Sequence, residues 1–202
     1  MKTKNGRKTL INFAGAFLAT ATIIAASAAP ALAAPKVRIQ GVGYGGTGCP
    51  GGSASAIVSP DGQKLSILFD KYTAFANSRR ERRKTCNLTI PIKVPSGYQV
   101  SLFNADYRGY VAPRTTGRLR AEYFFAGERG PVFSRNIRGE KDYTVRDRLM
   151  TSSWSRCGDS LNMRINSSMT ANGRGMAAVD TLDVSRGRGG FIYHIRYRGC
   201  NK

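Results

Sequence analysis

Cys86-Asn-Leu-Thr-Ile-Pro-Ile-Lys-Val94 alternates apolar and polar residues along its whole length. Side chains two positions apart lie on the same face of a β-strand, so this pattern predicts a strand with one face on a core and one in water. Proline cannot donate a backbone hydrogen bond, and Pro91 therefore predicts a sheet edge or a neighbouring bulge. The face expected to be buried consists of Cys86, Leu88, Ile90, Ile92 and Val94.

Shorter segments of the same kind recur about every ten residues, and helix signals are nearly absent. Pro60-Asp61-Gly62 separates two of them and predicts a hairpin turn, because proline fixes φ and glycine accepts a positive φ. About nine or ten strands without an internal repeat predict one antiparallel β-sandwich, with a closed barrel as the second choice. The further strands are expected within 37–42, 56–59, 64–69, 98–103, 119–125, 143–145, 161–167, 177–184 and 191–197.

The N-terminus predicts export. Four basic residues precede an uncharged run from Thr9 to Ala34, which contains the small residues Ala31 and Ala33 at the positions that signal peptidase recognises. We expect a signal peptide over residues 1–33 and one mature domain over residues 34–202. The alternative is an uncleaved membrane anchor, since the uncharged run is long enough to span a bilayer.

The charge of the chain is strongly positive. It has 32 Lys and Arg against 12 Asp and Glu, and removal of the four cations before Thr9 leaves a net charge of about +16. Such a field attracts acidic polysaccharide, anionic lipid and nucleic acid alike. The alternative is a charge that only keeps an exported protein soluble.

Four cysteines lie in the predicted mature domain, and none forms a Cys-x-x-Cys pair. An even number of cysteines behind an export signal predicts disulfides, and four cysteines permit three pairings. We favour nearest-neighbour pairing, in which each bridge closes a loop of about 40 residues and contributes on the order of 4 kcal/mol. Zinc is the weaker alternative, because a lone histidine and no paired cysteines make a poor four-ligand site. The cysteines are Cys49, Cys86, Cys157 and Cys200.

Several motifs together resemble the family of small secreted proteins catalogued as domain of unknown function 4360. The resemblance extends from about Val42 to Cys200 and implies export and a common β-rich domain, but it brings no catalytic residues. The segments 77–84 and 112–118 match poorly, so ideas that depend on them are specific to this chain. The motifs are Gly46-Thr-Gly-Cys-Pro50, Ser59-Pro-Asp-Gly62, residues 86–95, Gly97-Tyr-Gln-Val-Ser-Leu102, Ala105-Asp-Tyr-Arg-Gly-Tyr-Val111, Tyr123-Phe-Phe-Ala-Gly127, Trp154-Ser-Arg-Cys157 and Met163-Arg-Ile-Asn166.

The highest density of charge lies just before the strand that is predicted at residues 86–94. Five cations in six residues form a candidate anion-binding patch, since arginine presents a fork that fits sulfate, phosphate or carboxylate. The alternative is a solvated loop between two strands. The patch residues are Arg79, Arg80, Arg82, Arg83 and Lys84.

No catalytic, metal or cofactor site is predicted. His194 is the lone histidine and no Gly-x-Ser-x-Gly motif occurs, which disfavours a serine hydrolase. The glycine-rich segment 41–52 lacks the ending of a phosphate-binding loop. A glycosidase needs two carboxyl groups, and the candidate pairs are Glu140 with Asp142, Asp180 with Asp183, and Asp106 with Asp159.

The sequence therefore predicts a secreted or periplasmic, non-catalytic domain that binds an anionic polysaccharide or envelope polymer. Specific nucleic-acid binding is not predicted, nor is a transmembrane segment after cleavage. The alternatives are a secreted carbohydrate-active hydrolase that uses paired carboxylates and a cationic antimicrobial-like effector. The oligomeric state is left open.

Overall fold

A computed structural model describes residues 37–60, 65–102, 104–148, 154–158, 160–184 and 195–200. All of them belong to one compact unit, Ala34–Lys202. The predicted signal peptide, Asp61-Gly62 of the predicted turn, Asp159 and His194 lie outside the described residues. Within the described ranges there is no helix long and apolar enough to cross a membrane.

Fifteen strands are formed by the described residues, in accord with the predicted all-β class. Their bounds are β1 (Arg38–Ile39), β2 (Gly43–Gly45), β3 (Ala54–Val58), β4 (Leu65–Phe69), β5 (Thr73–Phe75), β6 (Arg83–Lys93), β7 (Tyr98–Leu102), β8 (Asn104–Val111), β9 (Thr115–Phe125), β10 (Val132–Arg138), β11 (Lys141–Arg148), β12 (Ser160–Gly173), β13 (Met176–Ala178), β14 (Thr181–Val184) and β15 (Ile195–Gly199).

The strands form two large antiparallel sheets and one small one. In sheet A the order is β6, β12, β9 and β10, and both β1 and β2 pair with the free side of β6. In sheet B, β8 pairs with β11 on one side and with β13 and β14 on the other, and β3, β4 and β5 extend the sheet. Strands β7 and β15 form the small sheet. Because the buried faces of sheets A and B pack together, the predicted antiparallel sandwich is confirmed.

Strand β6 is an interior strand, so the edge position suggested by Pro91 is wrong and the neighbouring bulge is right. Ile39 of β1 lies opposite Ile92, and Gly43 of β2 lies opposite Thr89. The three residues 40–42, which connect β1 to β2, thus lie opposite only two residues of β6, Ile90 and Pro91, and this is a bulge. The backbone N–H of Gln40 donates to the Pro91 carbonyl over 2.9 Å. The nitrogen of Pro91 points to the same side of β6 as its carbonyl, towards the break between β1 and β2. No backbone donor is needed there, so a proline is tolerated.

The core lies between sheets A and B, and the alternation in β6 supplies one wall of it. Cys86, Leu88, Ile90 and Ile92 are all at most 1% exposed. Tyrosines also enter this core, because their hydroxyl groups find partners there. The Tyr107 hydroxyl lies 2.9 Å from the Tyr123 hydroxyl, so the pair joins sheet B to sheet A.

Two disulfides cross-link the described residues. They join Cys49 to Cys86 and Cys157 to Cys200, which is the nearest-neighbour pairing, with Cα–Cα distances of 5.3 and 6.0 Å. The first bridge ties the glycine-rich segment to β6. Gly48 lies so close to Tyr72 that an added Cβ would stand 2.4 Å from its ring, so this segment is packed against the core.

Candidate anion-binding face

The outward face of sheet A carries the opposite set of side chains from the core face. Residues directly opposite each other in neighbouring strands lie on the same face of a sheet. One outward row therefore crosses β6, β12, β9 and β10 at Arg83, Thr170, Arg118 and Asn136, and the next row crosses them at Thr85, Ser168, Arg120 and Ser134.

Three arginines from two strands meet in these rows. Arg83, Arg118 and Arg120 line a pocket of about 180 Å³ together with Ser168 and Thr170. The two hydroxyl residues belong to β12, which runs between the arginine-bearing strands β6 and β9. Guanidinium and hydroxyl groups all donate hydrogen bonds, so this triple-arginine site is suited to an oxyanion.

Two of the three guanidinium groups are oriented by neighbours on the same face. Arg118 Nε donates to Ser134 Oγ over 3.2 Å. Arg120 Nη2 lies 3.5 Å from Glu122 Oε2, and both side chains remain partly exposed. Contacts of this kind restrict the rotamers of long side chains before a ligand arrives, which reduces the entropy cost of binding.

The charge of this face is one-sided. Within the described strands, Glu122 is the one acid at an outward position of sheet A. Seven cations occupy outward positions of the same sheet, namely Arg38, Arg83, Lys93, Arg118, Arg120, Arg138 and Arg164. A single counter-charge cannot neutralise this set, so the face presents a positive potential.

The predicted patch is divided by the start of β6. Arg79 and Arg80 are exposed in the turn that precedes the strand, and Arg83 points outward into the triple-arginine site. Arg82 donates from Nη2 to the Ala76 carbonyl over 3.2 Å. Lys84 has the inward parity of Cys86, is only 16% exposed and forms an ion pair with Glu81.

Arg118 and Arg120 were not among the residues of the predicted patch. They are distant from the basic run in the chain, and only the strand order brings them beside Arg83. The available signal is the alternation of residues 118–125, in which both arginines occupy positions of the same parity, opposite to Leu119 and Ala121.

Acidic residues gather on the outward face of sheet B instead. A pocket of about 370 Å³ there is lined by Arg108, Asp142, Thr144, Asp180 and Thr181, among others. Burial and the nearby Asp142 carboxylate raise the pKa of Asp180. Beside the pocket, Arg146 Nε lies 3.7 Å from Asp106 Oδ2. The structure thus pairs Asp142 with Asp180, a combination absent from the three candidate pairs of the hydrolase alternative.

One further acid lies inside the sandwich. Asp147 is 5% exposed, accepts a hydrogen bond from the Tyr123 side chain, and its Oδ2 has no hydrogen-bond partner among the described residues. Burial raises its pKa to about 6. This carboxyl group is a feature of the core and not of either outward face.

A family model described as a domain of unknown function, DUF4360, matches residues 35–200. The chain belongs to this family. It is also similar to an uncharacterized secreted protein of Arthroderma benhamiae, with 36% identity over 187 residues that span 82% of this chain and 72% of the relative. The secreted relative and the two disulfides agree with the predicted export, and the DUF4360 protein is a secreted one.

Two solved structures are distantly similar to the DUF4360 domain. TmCBM61 in complex with β-1,4-galactotriose matches 74% of this chain and 91% of its own, with a TM-score of 0.37 and 7% identity. A family 11 carbohydrate-binding module from Clostridium thermocellum matches 74% of this chain and 95% of its own, with a TM-score of 0.26 and 12% identity. Likenesses of this strength carry no information about function.

Proposed function

We propose that this DUF4360 protein is a non-catalytic secreted domain that binds an anionic polysaccharide or envelope polymer through the outward face of sheet A. The observation that carries the proposal is the triple-arginine site, where Arg83, Arg118 and Arg120 converge around the hydroxyl groups of β12. Arg79 and Arg80, in the turn at the same end of β6, extend the positive surface beyond the strands.

A polymer fits this face better than a small anion does. The outward cations extend from the triple-arginine site to Arg164, six residues from Thr170 along β12, which is about 20 Å in an extended strand. Across the sheet, the four strands from β6 to β10 span about 14 Å. Charges spread over such an area engage a chain of repeated sulfate, phosphate or carboxylate groups, and each arginine can bind one of them in a bidentate manner.

The test removes the three charges of the site and keeps a polar side chain at each position. Arg83→Gln/Arg118→Gln/Arg120→Gln is compared with Lys71→Gln/Arg129→Gln/Arg156→Gln, which removes three exposed cations elsewhere. The probes are polygalacturonate, heparin, anionic vesicles and duplex DNA, titrated with the oxidised mature protein. We expect the first variant to lose at least tenfold in affinity for one of the polysaccharides, and the control variant to keep most of it.

Equal losses in the two variants would overturn the proposal, because they would show that binding depends on total charge and not on this site. Circular dichroism and thermal unfolding of both variants verify that neither has lost its fold. The exposed positions of these residues make large changes in stability unexpected.

A further inference from the structure

We propose that the outward face of sheet B carries a second binding site, for an uncharged, hydroxyl-rich ligand such as a neutral saccharide. The site is the pocket of about 370 Å³ lined by Arg108, Asp142, Thr144, Asp180 and Thr181. It lies on the other sheet from the triple-arginine site, so it does not depend on the function proposed above.

The backbone register brings these groups together. Thr144 of β11 and Thr181 of β14 both lie opposite Arg108 of β8, one on each side, so the three form a single outward row. Asp142 lies opposite Tyr110 in the next row of β11 and β8. Asp180 is held beside the row, because its backbone N–H donates to the Arg108 carbonyl over 2.8 Å.

The mixed charge of the pocket selects the chemical class of the ligand. Asp142 and Asp180 repel an anion, and the guanidinium of Arg108 balances one of their two charges, which weakens the attraction for a cation. An uncharged ligand with many hydroxyl groups needs no counter-charge, since each hydroxyl both donates and accepts. Its donors match the two carboxylates, and its oxygens match the guanidinium and the threonine hydroxyls.

Thr181 provides an independent indication. Its Oγ1 is buried and has no hydrogen-bond partner among the described residues. An unsatisfied buried hydroxyl is unfavourable, and a ligand that hydrogen-bonds to it removes part of that penalty. The carboxyl group of Asp180, which lines the same pocket beside Asp142, offers an acceptor to a ligand hydroxyl.

The backbone beneath the pocket is closely packed. The Tyr143 hydroxyl donates to the Ala178 carbonyl over 2.7 Å. A Cβ at Gly109 would stand 2.0 Å from the same carbonyl oxygen, so β8 and the segment before β14 are in close contact here. A preformed site loses little entropy on binding. The volume lies at the lower end of the range for small-molecule sites, about 300–1,000 Å³, which suits one or two sugar units.

The experiment titrates the oxidised mature protein with cellotetraose, xylotetraose, mannotetraose, laminaritetraose and β-1,4-galactotetraose by calorimetry, at low and at physiological salt. We expect at least one of them to bind with an affinity that salt does not change, because the ligand carries no charge. Thr181→Val and Asp142→Asn should each weaken this binding at least tenfold.

The matched controls are Thr116→Val on sheet A and Asp70→Asn in an exposed turn, and both should bind as the wild type does. Arg83→Gln/Arg118→Gln/Arg120→Gln should also leave neutral-saccharide binding unchanged, which keeps failure of this site distinct from failure of the site on sheet A. Absence of millimolar binding across the five saccharides would overturn the proposal, as would equal binding by Thr181→Val, Asp142→Asn and their controls.

Discussion

At the scale of single residues, Asp147 contributes to the dependence of the domain's stability on pH. Burial raises its pKa from the ordinary value of 3.8 to about 6, so the native state holds a proton that the unfolded chain releases. Between these two values the native state binds more protons, and the free energy of unfolding therefore falls as the pH rises. The change amounts to about 1–3 kcal/mol, and it is complete just above the native pKa.

Urea unfolding of the wild type and of Asp147→Asn, followed from about pH 4 to pH 7, measures this contribution. The free energy of unfolding of the wild type should fall by more over this interval than that of the variant, because the amide of the variant does not titrate. If the two proteins show parallel curves, the carboxyl group of Asp147 is not protonated in the native state near pH 5.

At the scale of secondary-structure elements, β6 shows which features of a strand can be predicted from the sequence. Its period-2 alternation predicted the strand and its buried face, because these depend on local chemistry, whereas Pro91 left a sheet edge and a neighbouring bulge as alternatives. Its interior position could not be predicted, since one proline is compatible with an edge and with an interrupted partner strand. The interior position of β6 depends on its pairing with β1 and β2, which are short strands without a clear alternation of apolar and polar residues.

The same limit applies to the candidate site. The basic run before β6 was visible in the sequence. Because successive side chains of a strand point to opposite faces, Arg83 lies on the outward face and Lys84 on the inward face. Its partners Arg118 and Arg120 follow from the order β6, β12, β9, which is a long-range property of the sheet. A local pattern fixes the face on which a side chain lies, but not its neighbours across the sheet.

The bridge between Cys49 and Cys86 links β6 to the glycine-rich segment and should contribute strongly to stability. From its sequence separation of 37 residues, we expect the free energy of unfolding to fall by about 2–4 kcal/mol in Cys49→Ala/Cys86→Ala. The chief reason is that the unfolded chain regains conformational entropy. Urea unfolding of the variant and of the oxidised wild type provides the measurement. An unchanged midpoint would show that this bridge does not hold the domain together.

At the scale of the whole molecule, the outward face of sheet A and the pocket on sheet B differ in charge. Sheet A presents seven cations and one acid, whereas the pocket of sheet B combines two carboxylates with one guanidinium. A protein that acts by disrupting membranes needs an apolar surface beside its cations, as in amphipathic membrane-binding helices. The outward rows of the triple-arginine site consist of arginine, serine, threonine and asparagine.

The domain should therefore bind anionic vesicles without making them leak. Release of an entrapped dye from vesicles of mixed anionic and neutral lipid measures this directly, with binding followed by sedimentation. Binding without release is the expected result. Dye release at concentrations where the protein binds would favour the cationic antimicrobial-like effector and contradict a polymer-binding role.

The central claim is that the face of sheet A recognises a polymer and does not merely carry charge. Its most direct test is a salt titration of the oxidised mature protein with polygalacturonate, heparin and DNA, because non-specific ionic binding weakens steeply as salt rises. We predict that binding to one polysaccharide class persists at physiological salt while binding to the other polyanions is lost. Loss of all binding at physiological salt would contradict the claim and reduce the positive charge to a solubility feature.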